Sequence, residues 1–249
     1  MVITMFDRGI DLDSGTLELH HPEMNDSDMH LLGKNFTTEW GGDPNNVRDG
    51  FECDYEGQTF GTFTCKYTGQ VFRGHGTWVS GVIFAQKDNN EGIAGIAPGV
   101  KGLHNTVLGQ LEPIPIHSER FLNASIDLAA MTQYSGKRYV VNFSAGQSSG
   151  DSNYVQGVQH LDTAGVLLVS VSHQTTPNNN ENNVHYPAAY SKDYENVIAV
   201  GSTDSKDDRC VAVSGRSTAW NSDSFGRKRY GDHWRAMGWT WVTNGWRYE

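Results

Sequence analysis

The most informative stretch of the chain is Arg73–Lys101, which reads RGHGTWVSGVIFAQKDNNEGIAGIAPGVK. A histidine lies between two glycines at its start. Gly74 and Gly76 leave the backbone free to present His75 at the beginning of a helix. The small and apolar residues that follow predict that this helix is buried.

Helical spacing predicts which side chains of this helix face the core. The predicted face consists of Val79, Val82, Ile83 and Gln86. Gly81, beside Ser80, leaves room for a neighbouring element to approach closely. A polar turn over residues 87–92 ends the helix, and residues 93–100 form a loop that leads into a strand.

Two motifs in this stretch resemble the histidine region of the subtilisin-like serine proteases. The family pattern H-G-T-H-V-A-G corresponds here to HGTWVSG at 75–81, and G-V-A-P-G-V corresponds to GIAPGV at 95–100. The resemblance implies an α/β fold with a doubly wound parallel sheet, helices on both faces, cut short at its C-terminal side. It also implies serine endopeptidase activity on polypeptides, with His75 as the base.

A candidate partner for His75 lies near the start of the chain. Residues 2–6 predict a buried strand that runs into Asp7, and a carboxylate at that end lies at the sheet edge where α/β proteins build their sites. Alternatively, Asp7 only accepts hydrogen bonds from the following turn. The segment D-R-G-I-D resembles the family's D-T-G-I-D, with Arg8 replacing Thr, which implies that Asp7 orients His75.

Later segments continue both the predicted fold and the resemblance. Residues 118–134 predict an amphipathic helix, residues 154–163 another, and residues 138–143 and 165–171 predict buried strands. Other segments that resemble the family are HPEM at 21–24, which we interpret as a proline-locked turn, YPAAY at 186–190 and NVIAVG at 196–201.

The resemblance assigns three residues to the substrate cleft and a fourth to the oxyanion site. Ser144, Ala145 and Gly146 correspond to the family's S-L-G, which implies that they line the substrate cleft by pairing with an extended peptide. The family's oxyanion asparagine corresponds to Gln174, whose amide is one methylene longer. Removing such a donor costs about 3–4 kcal/mol of transition-state stabilisation.

The family's nucleophile motif, G-T-S-M-A, is absent from this sequence. No serine follows Ser224, and residues 215–249 hold five of the seven Trp with six Lys or Arg against three Asp or Glu. We therefore predict a peptidase domain over 1–214 and an atypical Trp- and Arg-rich tail over 215–249, with no clear strand or helix periodicity. The chain as given is expected to be inactive. It is a fragment or misread gene model, an inactive homologue that binds peptides, or the recipient of a serine from another chain.

Composition narrows the class of protein. The 249 residues suit one large α/β domain, and the net charge of −10 argues against nucleic acid as a partner. No run reaches the roughly 18 apolar residues of a membrane helix. We expect a monomer. The family resemblance implies secretion, and a start on a core strand suggests that a signal and pro-segment are missing.

The remaining expectations concern loops. We interpret residues 25–71 as a polar insertion at the rim of the site. Within it, Cys53 and Cys65 form a disulfide or remain two free thiols, and Cys210 has no obvious partner. Asp88 and Asn90 lie where many family members bind calcium, although a plain polar turn explains them as well. No cofactor is expected to be required.

Overall fold

Six strands of the part of the chain that the structure describes form a central sheet. The computed structural model describes residues 1–13, 15–52, 55–60, 63–64, 66–68, 71–72, 74–90, 92–109, 116–172, 184–201, 239–242 and 245–248. The strands are β1 (Val2–Asp7), β2 (His30–Asn35), β3 (Phe51–Glu52), β4 (Thr59–Phe60), β5 (Phe63–Thr64), β6 (Val71–Phe72), β7 (Lys101–Thr106), β8 (Tyr139–Phe143), β9 (Leu167–Val171), β10 (Val197–Val200), β11 (Trp239–Val242) and β12 (Gly245–Tyr248). The α-helices are α1 (His75–Phe84), α2 (His117–Ser135) and α3 (Ser152–Thr163), and short 3-10 helices cover Pro22–Met24, Glu39–Gly42 and Ala188–Lys192.

The strand order places the end of β1 at the topological switch of the sheet. The order is β10-β9-β8-β1-β7-β2, and every neighbouring pair is parallel. The chain builds β1, β2 and β7 on one side and then crosses to the other side of β1 to build β8, β9 and β10. Ligand crevices of doubly wound sheets lie where the winding reverses. The predicted doubly wound α/β fold is confirmed.

Aromatic packing fixes α2 and α3 on one face of the sheet. The ring of Phe121 in α2 lies 5.9 Å from Phe6, 5.1 Å from Phe143 and 5.3 Å from Tyr154, and all four side chains are buried. Burying a large apolar side chain contributes about 1.5–3 kcal/mol. This cluster therefore holds both helices against β1 and β8.

Helix α1 packs on the opposite face, but none of the residues predicted to face the core is fully buried, and Val79 and Ile83 are half-buried. Its buried positions are Gly76, Thr77, Ser80 and Phe84, whereas Val82 is 49% exposed. The helix ends at Phe84, so Gln86 lies beyond it. Small side chains face the sheet because the helix approaches it closely, and this close approach outweighs the apolar periodicity on which the prediction was based.

The close approach of α1 occurs at Gly76 rather than at Gly81. A methyl group on Gly76 would overlap the carbonyl oxygen of Gly9, whereas no described atom lies within 4 Å of one on Gly81. The prediction for Gly81 was therefore wrong. The first turn of α1 is the part that lies against the end of β1.

The interpretation of residues 25–71 as an insertion is wrong for its first part. β2 is a strand of the central sheet, and Val47 packs with Ile10 and Met24 in a small second core. Beyond Asp49, the short pairs β3–β6 and β4–β5 are antiparallel. A polar, glycine-rich composition concealed the strand because β2 lies at the sheet edge, where alternate side chains face solvent.

Two strands within the predicted tail, β11 and β12, pair with each other. The pairing is antiparallel, with Trp239 opposite Tyr248 and Val242 opposite Gly245. The sequence analysis found no strand pattern here. The signal was present, because aromatic and β-branched residues flank an Asn-Gly dipeptide at 244–245. The predicted boundary at residue 214 lies outside the described residues.

Candidate active site

Asp7 ends β1 at the switch point of the sheet. Its side chain is fully buried, and Oδ1 accepts a hydrogen bond from the backbone N–H of Arg8 at 2.8 Å. The carbonyl oxygen of Asp7 accepts from the N–H groups of Val107 and Leu108 at 2.7 and 3.0 Å. The carboxylate is thus attached to a backbone that β7 holds in place.

His75 is the first residue of α1 and faces Asp7. Its Nδ1 lies 2.7 Å from Asp7 Oδ1, across 68 residues of sequence, and its side chain is 14% exposed. A carboxylate only accepts, so Nδ1 must carry the proton in this contact. In the neutral ring the lone pair is then on Nε2, which is the state required of a base.

The charges around His75 favour its protonated form. Burial by itself lowers the pKa of an imidazole, but the charge and hydrogen bond of Asp7, together with the charge of Asp49, outweigh burial and the opposing charge of Arg8. The pKa of His75 is therefore raised above its ordinary value. The pair can take up a proton and stabilise the resulting cation.

Two glycines allow this contact. Gly9 has φ +99°, a conformation that side chains disfavour, and a Cβ there would overlap the carbonyl oxygen of Val47. Gly76 packs directly on Gly9, so the backbone after Asp7 touches the first turn of α1. A larger residue at either position would separate Asp7 from His75.

Asp49 is a second buried carboxylate beside this pair, and the sequence analysis missed it. Its Oδ2 accepts hydrogen bonds from Thr77 N–H at 2.7 Å and from the Thr77 hydroxyl at 2.9 Å. Burial raises its pKa to about 6, with a further contribution from the charge of Asp7, against the hydrogen bonds of Thr77 and the charge of Arg8. No local motif marks it, since it contacts α1 only through the fold.

The predicted substrate-binding residues lie at the same edge of the sheet. β8 is parallel to β1, with Met5 opposite Asn142, so Ser144, Ala145 and Gly146 follow β8 at the edge where Asp7 ends β1. All three residues are half-buried. A Cβ on Gly146 would lie 2.8 Å from the carbonyl oxygen of Tyr186, so the backbone at Gly146 packs closely on the segment that carries Tyr186.

Several predicted residues lie outside the part of the chain that the structure describes. Gln174, Cys53, Cys65 and Cys210 lie outside the described residues, as do all positions from 202 to 238. The absence of a nucleophilic serine, the oxyanion role of Gln174 and the disulfide between Cys53 and Cys65 therefore remain predictions.

Among the described residues, the side chains of Asp88 and Asn90 do not converge on a carboxylate cluster. The side chain of Asp88 is 85% exposed and pairs with Lys87 at 3.7 Å, and Asn90 is exposed. The buried carboxylate near this turn belongs to Glu23, which accepts from the Asn89 amide at 3.1 Å. Within the described ranges, no group of three His, Cys, Asp or Glu side chains is arranged to hold a metal.

His21 has the structural role that was predicted for it. It caps the 3-10 helix at Pro22–Met24, where its Nδ1 accepts from the N–H of Glu23 at 3.2 Å.

In the part of the chain that the structure describes, no helix has the length and apolar character needed to cross a membrane.

The fold and the site define a class: an α/β protein whose parallel sheet buries an Asp–His pair at its switch point. The sequence model of the protein family described as "Subtilase family" matches residues 1–246, and the chain belongs to that family. Subtilisin DY of Bacillus licheniformis is 30% identical over 141 residues, which cover 55% of this chain and 45% of that protein. Alkaline elastase YaB of Bacillus sp. (strain YaB) is 33% identical over 140 residues, which cover 55% and 32%.

Solved structures share the fold. The Sphericase structure matches with a TM-score of 0.57 at 21% identity, covering 86% of this chain and 55% of that one. The S41 Psychrophilic Protease matches with a TM-score of 0.56 at 21% identity, covering 82% and 53%. This chain spans less than half of the length of the two curated relatives above.

Proposed function

We propose that the chain provides the Asp–His part of a subtilisin-like serine endopeptidase domain that acts on polypeptides as a monomer outside the cell. The 2.7 Å contact between Asp7 and His75 carries the proposal. His75 Nε2 would take the proton of a serine hydroxyl as that oxygen attacks the peptide carbonyl, and would then give it to the leaving amine. Asp7 would hold the ring in this tautomer and stabilise the imidazolium.

The chain as given is expected not to turn over substrate, because its sequence lacks the family's nucleophile motif. Loss of one member of a catalytic triad forfeits nearly the whole rate gain of the unit. A fluorophosphonate probe and fluorescein-labelled casein test this expectation. We expect neither labelling nor cleavage, and covalent labelling of a serine would show that the nucleophile is present.

A peptide-binding module is the second candidate, favoured by the half-buried segment 144–146 beside the pair. Saturable binding of an extended casein-derived peptide without cleavage would support it, and calorimetry measures this directly. Translation of the gene in the other frames beyond codon 214 tests the fragment alternative. A G-T-S-M-A-like string there would assign the activity to the longer product.

The proposal includes no required cofactor and one structural calcium ion at the turn around residues 88–90. Glu23 supplies a buried carboxylate there, and Asn89 would have to present its amide oxygen in place of the nitrogen that now faces Glu23. Calcium should then raise the unfolding midpoint, and the increase should disappear in Glu23→Gln. Equal midpoints in calcium and in chelator would exclude the ion.

A further inference from the structure

Asp49 connects the segment after Asp7 with the helix that carries His75. Its backbone N–H donates to the carbonyl oxygen of Ile10 at 2.8 Å, and the N–H of Ile10 donates to Val47 at 2.9 Å. Ile10 lies three residues beyond Asp7. The backbone of Asp49 is therefore fixed to the same turn that leaves the candidate active site.

The side chain of Asp49 caps α1 from a distance. The local N-cap residue, Gly74, has no side chain to satisfy the first N–H groups of the helix. Asp49 Oδ2 instead accepts from the N–H and hydroxyl of Thr77, which stands 28 residues later in the sequence. A negative group at a helix N-terminus satisfies unpaired N–H groups and interacts favourably with the helix dipole.

This arrangement leaves little freedom at the first turn. Asp49 is 2% exposed, and a methyl group on Gly74 would overlap its Oδ1. Gly76 is packed against Gly9 on the same turn. His75, between these two glycines, is therefore held by Asp49 on one side and by the backbone after Asp7 on the other.

We propose that Asp49 is a positioning residue for His75: it fixes the first turn of α1 so that Nδ1 meets Asp7, and its carboxylate supports the protonated imidazole. The description of His75 as a base rests on the proposed function, but the position and charge of its ring do not. Among the described residues, the charged groups that act on the ring from the surrounding elements include Asp7, Asp49 and Arg8. Asp7 and Arg8 act in turn on Asp49.

Two substitutions separate the two roles. Asp49→Asn retains an acceptor oxygen for Thr77 but removes the charge, and Asp49→Ala removes both. Asp28→Asn is the matched control, because it removes the same charge from an exposed position. The readout is the NMR titration of the His75 ring and the Nδ1–H resonance in its contact with Asp7.

In Asp49→Asn we expect the Nδ1–H resonance to persist and the pKa of His75 to fall by about half a unit or more relative to Asp28→Asn. In Asp49→Ala we expect the resonance to broaden or disappear. If both variants only lower the unfolding midpoint and leave the His75 titration unchanged, Asp49 is a structural cap and the proposal is wrong. Should Asp49→Ala not fold, Asp49→Asn alone decides.

The titration is independent of turnover. A fluorophosphonate result against the proposed function would leave the His75 pKa and its Nδ1–H resonance unaffected. Failure of the two proposals is therefore distinguishable.

Discussion

At the scale of single residues, the contact between Asp7 and His75 determines what the site can do. The imidazole is buried, and burial alone would keep it neutral. Asp7 and, less directly, Asp49 reverse that preference. The result is a ring with a defined tautomer and a raised pKa, and the tautomer leaves Nε2 as the proton-accepting nitrogen of the neutral ring.

Asp7→Asn should lower the pKa of His75 by about 1–3 units, because it removes the opposite charge in direct contact with the ring. The amide can also present an N–H to Nδ1, which would favour the wrong tautomer. NMR titration of His75 at constant ionic strength measures the shift, with Asp28→Asn as the surface control. An unchanged pKa would mean that Asp7 does not set the charge of His75.

The sequence analysis singled out Asp7 and His75, because each lies in a short motif that resembles the family's, and the structure brings the two side chains into contact. It did not single out Asp49, since the role of Asp49 depends on a contact with Thr77 across 28 residues. The buried histidines 30 and 104, which touch at 3.2 Å across 74 residues, were missed for the same reason. Short sequence motifs identify side chains that are able to act in catalysis. Only the fold shows which of these side chains are in contact.

At the scale of elements, the bounds of helices were predicted from the sequence more accurately than the faces that they bury. α2 was predicted over 118–134 and covers His117–Ser135, and its C-cap is Gly136 with φ +61°. The prediction of the buried face of α1 was wrong because side-chain size, rather than hydrophobicity, determines which residues pack against the sheet. β2 was missed because an edge strand needs few apolar residues.

Gly76→Ala tests this explanation of α1. The added methyl would overlap the carbonyl oxygen of Gly9, and a backbone atom cannot move aside as a flexible side chain does. We expect a loss of about 1–3 kcal/mol in the free energy of unfolding, together with a weakened Nδ1–H resonance of His75.

Gly81→Ala is the matched control in the same helix, since no described atom lies within 4 Å of its added methyl. It should be neutral or stabilising by about 0.5–1 kcal/mol, because alanine favours the helix. Urea denaturation compares the two variants. Equal effects would show that α1 does not depend on close contact at Gly76.

At the scale of the whole molecule, α1 joins the candidate active site to a buried pair of histidines. His104 Nε2 lies 3.2 Å from His30 Nδ1, and its Nδ1 lies 3.3 Å from Ser80 Oγ on α1. The ring of Phe84 packs edge-on against both imidazoles. The side of α1 that faces the sheet is therefore partly polar, and its packing depends on neutral histidines.

The stability of the protein should consequently fall in acid. Burial lowers the pKa of His104 to about 3, with a further contribution from His30, and burial also lowers the pKa of His30 against the charge of Asp26. Below the ordinary histidine pKa of 6.5, the unfolded chain binds protons that the native state does not. Each such histidine removes about 1.4 kcal/mol per pH unit until its native pKa is reached.

Two other groups have the opposite sign. Asp49, with a native pKa of about 6 against 3.8, binds its proton first in the native state, so it increases stability as the pH falls from 6 to 3.8. His75, whose native pKa is raised, contributes stability that is fully present below 6.5 and is lost as the pH rises through that raised pKa. Three buried or half-buried histidines, His30, His104 and His117, have a lowered pKa, so below 6.5 they together oppose Asp49 and the net stability falls.

A comparison of the protein with His104→Gln isolates this effect, because glutamine retains polar atoms but does not titrate. The protein should be the more stable of the two at pH 7.5, and the difference should shrink by about 1.4 kcal/mol for each pH unit below 6.5. Urea denaturation at a series of pH values measures both curves. Parallel curves would mean that His104 is not held neutral in the core, and that the contact of α1 with the sheet does not depend on its neutral state.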